Sequence, residues 1–399
     1  MTHPLHPGPL EIAAGILVGQ VERPPVPART AHEPVEALRE ILRPALVAGR
    51  CHVTFSGGRD SSAILAVAAA LAAEEGLAPP VPVTVRFANA PGTGELAWQE
   101  RVVEHLGLDR WVIVEAGDEL DLVGPVAQRH LRRHGVLYPA NTMRFTLLAE
   151  HAQGGALVTG IGGDQLLGAG WLPHAAGALR GRVRPTGADL CAVVYRSLPR
   201  AGRLRIRRRH LPAPPWLRPD ARAELTERYA QSVADEPLSY GSHRLWYLRR
   251  RSLAAYCFSV DTVAVDAGAA AVHPLVDVRF VSALAARGGR SGFGDRTATM
   301  RAIFSGVLPE DVLARESKAV YPYAYFREPS RAFGERWQGA GVDPDLVEGE
   351  ALRHAWLKLV PSGWGALALQ SAWVASEGAG QLDEEIADRG EARDRSGAA

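Results

Sequence analysis

The stretch Val53-Thr54-Phe55-Ser56-Gly57-Gly58-Arg59-Asp60-Ser61-Ser62 constrains this chain more than any other. A short apolar run ends in a Ser-Gly-Gly turn, and Asp-Ser-Ser then opens the Ala-rich helical stretch Ala63 to Ala73. Two glycines let the backbone approach an anion closely and turn several N–H groups inward. The hydroxyls of Ser56, Ser61 and Ser62 add donors, and the new helix points its positive end at the same spot. The result is a phosphate cradle, without the Gly-Lys-Ser/Thr ending of a P-loop. With no lysine in the loop, Asp60 reads as a Mg²⁺ ligand, because a carboxylate beside phosphates is tolerable only with a cation between them. The bland alternative is an ordinary Gly-rich turn from strand to helix.

Beyond the loop the pattern alternates. Strands are expected at Val81 to Phe87, Trp111 to Glu115 and Ala156 to Thr159, with helices at Glu95 to Leu106, Glu119 to His134 and Asn141 to His151. Alternation of this kind implies a parallel sheet with right-handed crossovers. Ligands of such sheets bind beyond the C-terminal strand ends, where the Ser56 loop lies. A second Gly-rich turn, Thr159-Gly160-Ile161-Gly162-Gly163-Asp164-Gln165, falls there too. Its glycines allow a close wrap around a ligand, and Asp164 would reach the metal from the side opposite Asp60.

Ahead of the loop, Pro34 to Ala48 reads as an amphipathic helix with Val35, Leu38, Ile41 and Leu42 on or near one face. Pro44 is expected to kink that helix or end it early. The Pro-rich Met1 to Ala31 reads as partly extended. From about Ala175 helices and loops follow without alternating strands, the helices at Asp220 to Ala234, His243 to Val260 and Val278 to Ala286. The arginine-dense Arg200 to Arg209 reads as a solvated face or loop before it reads as a contact for RNA or an acidic partner. Gln381 to Ala399 is charged, lacks aromatics and reads as a disordered tail.

Composition narrows the classes. A length of 399 residues suits one large or two smaller domains, and 47% hydrophobic with 22% charged residues is the balance of a soluble globular chain. A net charge of +1 argues against a bulk commitment to nucleic acid or membrane. No apolar run reaches transmembrane length. Cys51, Cys191 and Cys257 are scattered and odd in number, which fits reduced thiols and a cytoplasmic location, and without a Cys-x-x-Cys or a Cys/His cluster no structural zinc is expected. Lys318 and Lys358 are the only lysines, so either one invites a reason.

Four motifs together carry a resemblance. SGGRDSS resembles the SGGxDS pyrophosphate loop of ATP pyrophosphatases and, more closely, the SGGLDSS of the asparagine synthetase family, which includes β-lactam synthetases and lasso-peptide cyclases. Thr159 to Gln165 resembles its TGxGGDE, and His273-Pro274-Leu275-Val276-Asp277-Val278-Arg279-Phe280-Val281 its Pro-Phe/Leu-Leu-Asp segment. Leu308-Pro309-Glu310-Asp311 with Arg315 and Lys318 resembles its LPE…R-x-K segment, with one extra residue before the lysine. The resemblance spans about residues 35 to 330.

What the resemblance implies is an α/β fold: a parallel-sheet ATP-pyrophosphatase core (PP-loop, adenine-nucleotide α-hydrolase-like) with a mostly helical C-terminal part. The layout it suggests is an N-terminal segment and helix over 1–50, the core over 51–175, a helical remainder with the catalytic-lysine loop over 176–380, and the tail over 381–399. Ser56, Gly57, Gly58, Ser61 and Ser62 would hold departing pyrophosphate, and Asp60 and Asp164 would hold Mg²⁺. Thr54, Phe87, Thr159 and Gly160 would face the nucleotide of ATP. Lys318 would stabilise charge during amide formation, and Arg301 matches an arginine ahead of LPE.

Departures from the family bear on substrate. Ile161 stands where relatives place a glutamate or tyrosine, and it cannot accept a proton. Gln165 replaces a common acid, and Ala270 and Val272 replace a Glu-x-Arg, leaving a less polar pocket than one built for aspartate. Residue 2 is threonine rather than the cysteine of a glutaminase, and about 50 residues before the loop are too few for that domain. The expectation is therefore an enzyme that adenylates a carboxylate and joins it to an amine on a peptide or natural-product precursor, as lasso-peptide cyclases do when closing a macrolactam, with a partner protein as a possible carrier. Three other readings stand beside it: amidation with free ammonia or a separate glutaminase, RNA-base adenylation for thiolation, and a degenerate non-catalytic partner protein.

Overall fold

The computed structural model describes residues 3–22, 33–87, 96–168, 187–210, 213–315 and 324–377. Its centre is a five-stranded, all-parallel sheet in the order β3-β2-β1-β4-β5. The strands are β1 (Cys51–Thr54), β2 (Val81–Phe87), β3 (Val112–Ala116), β4 (Ala156–Val158) and β5 (Ala270–Val272). From β1 the chain first winds outward through β2 and β3, then crosses back to lay β4 on the other side of β1. The direction of winding therefore reverses between β1 and β4, the place where ligands of such sheets bind. Register puts Val53 beside Val158, so the Ser56 loop and the Thr159 loop leave the sheet side by side.

The first helices are α1 (Pro9–Ala14), α2 (Pro34–Val47), α3 (Arg59–Glu75), α4 (Leu96–His105), α5 (Pro125–His134), α6 (Arg144–His151) and the short α7 (Gly163–Leu166). In α3 the run Ala63 to Ala69, with Leu71 and Ala72, is buried between the sheet and α2, so the helix is apolar nearly all round. Alanine allows that closeness. Helix α2 passes its Pro44 and ends at Val47, with the Ala48 N–H donating to the Pro44 carbonyl at 3.1 Å. The proline and Glu40, whose carbonyl it leaves without an N–H partner, both lie on the exposed face, where water replaces the lost bond.

Three expectations are corrected. The N-terminal stretch, read as partly extended, contains α1: Pro9 starts it, the Glu11 carboxylate accepts from the Gly8 N–H at 3.0 Å, and Leu10, Ala13 and Ala14 are buried. The span read as one helix from His243 to Val260 is two, Tyr240–Tyr247 and Arg251–Asp266. The break arises because N-terminal residues take the backbone there: the Val21 N–H donates to the Arg249 carbonyl, and the Arg251 N–H to the Gly19 carbonyl. The region after Ala175, read as free of strands, contributes β5, which pairs with β4 from Ala156↔Ala270 to Val158↔Val272. Three residues, Ala-Ala-Val, are too few to show a period.

Later helices include Arg200–His210, Pro219–Val233, Val278–Gly288, Arg296–Phe304, Glu328–Arg336 and Gly349–Trp356. A second core gathers Trp216, Trp337, Trp356 and Trp373 with α1, which ties the N-terminus to the last helices. The Trp216 indole N–H donates to the Ala13 carbonyl at 2.8 Å, so a buried polar atom is satisfied across that layer. The tail over 381–399 lies outside the described residues, as does Lys318.

Candidate active site

At the reversal of winding the Ser56 loop folds on itself. Gly57 has φ 79°, a backbone angle that glycine adopts freely. The Ser56 N–H donates to Ser61 Oγ at 3.2 Å, the Gly58 N–H to Ser56 Oγ at 3.3 Å, and Ser61 Oγ–H to the Gly58 carbonyl at 3.1 Å. Arg315, buried and stacked on Trp98, donates to the Gly57 carbonyl at 2.7 Å. The loop is thus held in shape from both sides before any ligand arrives.

The Thr159 loop packs directly on it. Gly162 has φ 89°, and at Gly163 an added Cβ would overlap Asp60 Cβ, Cγ and Oδ2. Glycine at 163 is therefore what lets Asp60 and Asp164 approach each other. Thr159 Oγ1 meets His273 Nδ1 at 2.7 Å, and His273 Nε2 meets Asp261 Oδ1 at 3.1 Å, a chain that braces the loop from behind.

Arg296 lies between the two carboxylates. Its Nη2 donates to both oxygens of Asp60 at 2.7 Å, and its Nη1 to Asp164 Oδ1 at 2.5 Å. Arg296 is the first residue of its helix, fixed there by Asp295, whose side chain caps the Ala298 N–H at 2.7 Å. Two carboxylates facing a shared cation beside a phosphate cradle form a donor set that fits a hard divalent ion, since Mg²⁺ takes one or two carboxylates plus phosphate oxygens. Asp60 and Asp164 are the residues that would hold it.

These loops form one end of a cavity of about 540 Å³, a size suited to a ligand of nucleotide dimensions. Thr54, Ser56, Gly58, Asp60, Ser61, Phe87, Gly160 and Asp164 all line it. The remaining expected residues are placed otherwise. Ser62 is fully buried behind the loop, Gly57 is absent from the lining, and Thr159 is turned to His273. Arg301 is placed apart from the cavity: it pairs with Glu310 on the surface, Nε to Oε1 at 2.6 Å, and is not among the described lining residues. Five residues separate it from Arg296, about 140° around the helix. Arg301→Gln is therefore expected to keep wild-type turnover and near-wild-type stability, checked by steady-state assay and urea melts.

The far wall was not legible in the sequence. Arg144 on α6 donates to the Tyr256 hydroxyl at 2.6 Å and lies over the Phe145 ring, its guanidinium deep in the protein but open to the cavity. Phe145, Leu148, Val83, Val85 and Tyr325 also line the cavity and add apolar surface to it. Burial raises the Tyr325 hydroxyl above the usual phenol range, so it stays protonated and can donate.

The family model described as asparagine synthase matches residues 36–361. The chain belongs to the asparagine synthase family. Membership brings ATP-dependent amidation as the general activity, ATP as the nucleotide, normally with Mg²⁺, and a carboxylate and an amine as the reactants. No curated protein matches this family member. Among its described residues no helix is long and apolar enough to cross a membrane.

Proposed function

We propose that this asparagine synthase family member adenylates a carboxylate on a largely apolar acyl group, a peptide or natural-product precursor, and joins it to an amine of the same or a second molecule, as in macrolactam closure. In the first step a carboxylate oxygen bonds to the α-phosphorus of ATP and the bond to pyrophosphate breaks. In the second the amine nitrogen bonds to the acyl carbon, AMP departs with the C–O bond electrons, and the proton shed by the nitrogen passes to the departing phosphate or to water. Ser56, Ser61 and the loop N–H groups hold the departing pyrophosphate, and Arg296 orients Asp60 and Asp164. Bound Mg²⁺ would offset the negative charge of the phosphates.

The observation that carries the apolar substrate is the lining itself: Phe145 and Leu148 on the far wall and Ile161 on the Thr159 loop all present apolar side chains to the cavity. Among the described lining residues Asp60 and Asp164 are the sole carboxylates and both bond Arg296, so the amine's base comes from elsewhere or the amine arrives deprotonated. The nucleic-acid reading draws little support: Arg200, Arg203, Arg207 and Arg208 are engaged by Asp235, the Glu236 carbonyl, Tyr195 and Glu227. The deciding experiment supplies ATP, Mg²⁺ and candidate precursors and follows products. AMP, pyrophosphate and a precursor lighter by one water support the assignment; ADP and phosphate sink it.

Lys318 is proposed as the residue that holds the developing tetrahedral oxygen in the second step. Supporting this, the segment 316–323 starts after Arg315, bonded to the Gly57 carbonyl, and ends just before Ala324 and the cavity-lining Tyr325. An arginine spreads its charge over a planar fork and cannot present a compact ammonium. Lys318→Arg should slow amide formation about 10²-fold while pyrophosphate exchange is kept, and Lys358→Arg should be silent. Full amide yield from Lys318→Arg would remove the residue from the mechanism.

A further inference from the structure

Away from the cavity, His130, His134 and Asp266 each offer a donor atom within 4.8 Å of the other two. Four residues apart on α5, the two histidines project from one face. Asp266 ends the helix Arg251–Asp266, and His134 ends α5. Two helix C-termini, each carrying partial negative charge, therefore converge on one point, which favours a cation there.

The hydrogen bonding leaves a gap that a proton fills poorly. His130 is 8% exposed, and its Nδ1 is buried without a hydrogen-bond partner, facing Asp266 Oδ2 at 3.7 Å. Its Nε2 meets Thr146 Oγ1 at 2.6 Å, and the tautomer that donates there leaves the Nδ1 lone pair turned toward the carboxylate. His134 Nε2 meets the same Oδ2 at 2.6 Å, while Arg133 takes the other oxygen, Oδ1, at 3.1 Å. Neighbouring ligand atoms of a tetrahedral zinc ion lie about 3.3 Å apart, a value these 2.6 and 3.7 Å separations bracket.

We propose that His130, His134 and Asp266 form a binding site for a transition-metal dication, with zinc as the fitting ion, and that the metal staples the wall of the cavity. Two imidazoles and a carboxylate suit zinc, with water in the fourth position. Thr146 orients His130 as an outer-shell partner, and Arg133 does the same for Asp266. Leu131, Arg132 and Arg133 fill the positions between the histidines, so no glutamate stands ready as a general base and the role is structural. The site would clamp α5 to the helix that carries Tyr256, and through Thr146 to α6, which carries Arg144, Phe145 and Leu148 of the cavity.

The test uses the full chain, stripped with chelator, exposed to Zn²⁺ and dialysed. The wild type should retain one zinc per chain, and excess Zn²⁺ at a hundredfold over Kd should raise Tm by roughly 3–5 °C. Asp266→Asn should lose both the bound equivalent and the shift. His134→Gln, on the more accessible side, should do the same and decides the matter if the first variant fails to fold. A tetrahedral visible spectrum from Co²⁺ in the wild type, absent from His134→Gln, is the independent readout. A wild type that retains no zinc, or a folded variant that retains the wild-type equivalent, overturns the site.

Discussion

Asp60→Asn is expected to lower turnover by at least ~10³-fold and to leave the fold intact. The asparagine keeps the size of the side chain but removes the charge that faces Arg296 and would hold Mg²⁺, a change worth several kcal/mol at the reacting phosphates. Asp164→Asn should act in the same direction. The most informative companion is Gly163→Ala, which deletes no functional group. Its Cβ would overlap Asp60 Cβ and Cγ, atoms too near the backbone to swing aside, so Asp60 must leave Arg296. Turnover should then fall nearly as far as in Asp60→Asn. Pyrophosphate exchange measures the loss, and far-UV circular dichroism with urea melts confirms the fold; near-normal exchange in Asp60→Asn would dismiss the metal site.

Arg144→Met separates stability from activity. The guanidinium is set deep among Tyr256, Tyr325 and the Phe145 ring, with phenols for partners and the cavity in front of it. A charge held in that way suits an anionic group of the bound substrates, and removing such a desolvated contact costs ~4 kcal/mol, about 10³-fold in kcat/KM. Methionine fills much of the same volume, and the two phenols can turn to water in the cavity. Replacing a buried cation with an apolar side chain is often neutral or stabilising, so the unfolding free energy should stay within ~1 kcal/mol or rise. Loss of stability and activity in parallel would make Arg144 a structural residue instead.

Both expectations rest on side chains of very different legibility. Asp60 could be read directly, because the Ser-Gly-Gly turn, the carboxylate and the helix start follow one another in sequence and local chain geometry sets them. The same holds for Asp164 after β4. Their meeting was only inferable from the rule that parallel strands gather loops at one edge, and the register Val53↔Val158 turns that rule into contact.

Arg296 and Arg301 show where the sequence stops. Both lie on one helix ahead of LPE, and the motif favours Arg301, yet the phase of the helix decides which one faces the carboxylates, and that phase depends on how distant elements pack. Arg144, Tyr256 and Tyr325 come from three segments without a shared pattern, so nothing local marks them as one wall. The strand β5 is three residues long and is held by pairing with β4, 114 positions upstream at Ala156↔Ala270. The sequence by itself determined the loop, its helix, the parallel α/β order and the two acidic residues, since each follows from bonding among near neighbours. The tertiary structure alone decided which arginine neutralises them, what lines the far wall and where the last strand lies, because those depend on contacts whose partners are hundreds of atoms apart along the chain.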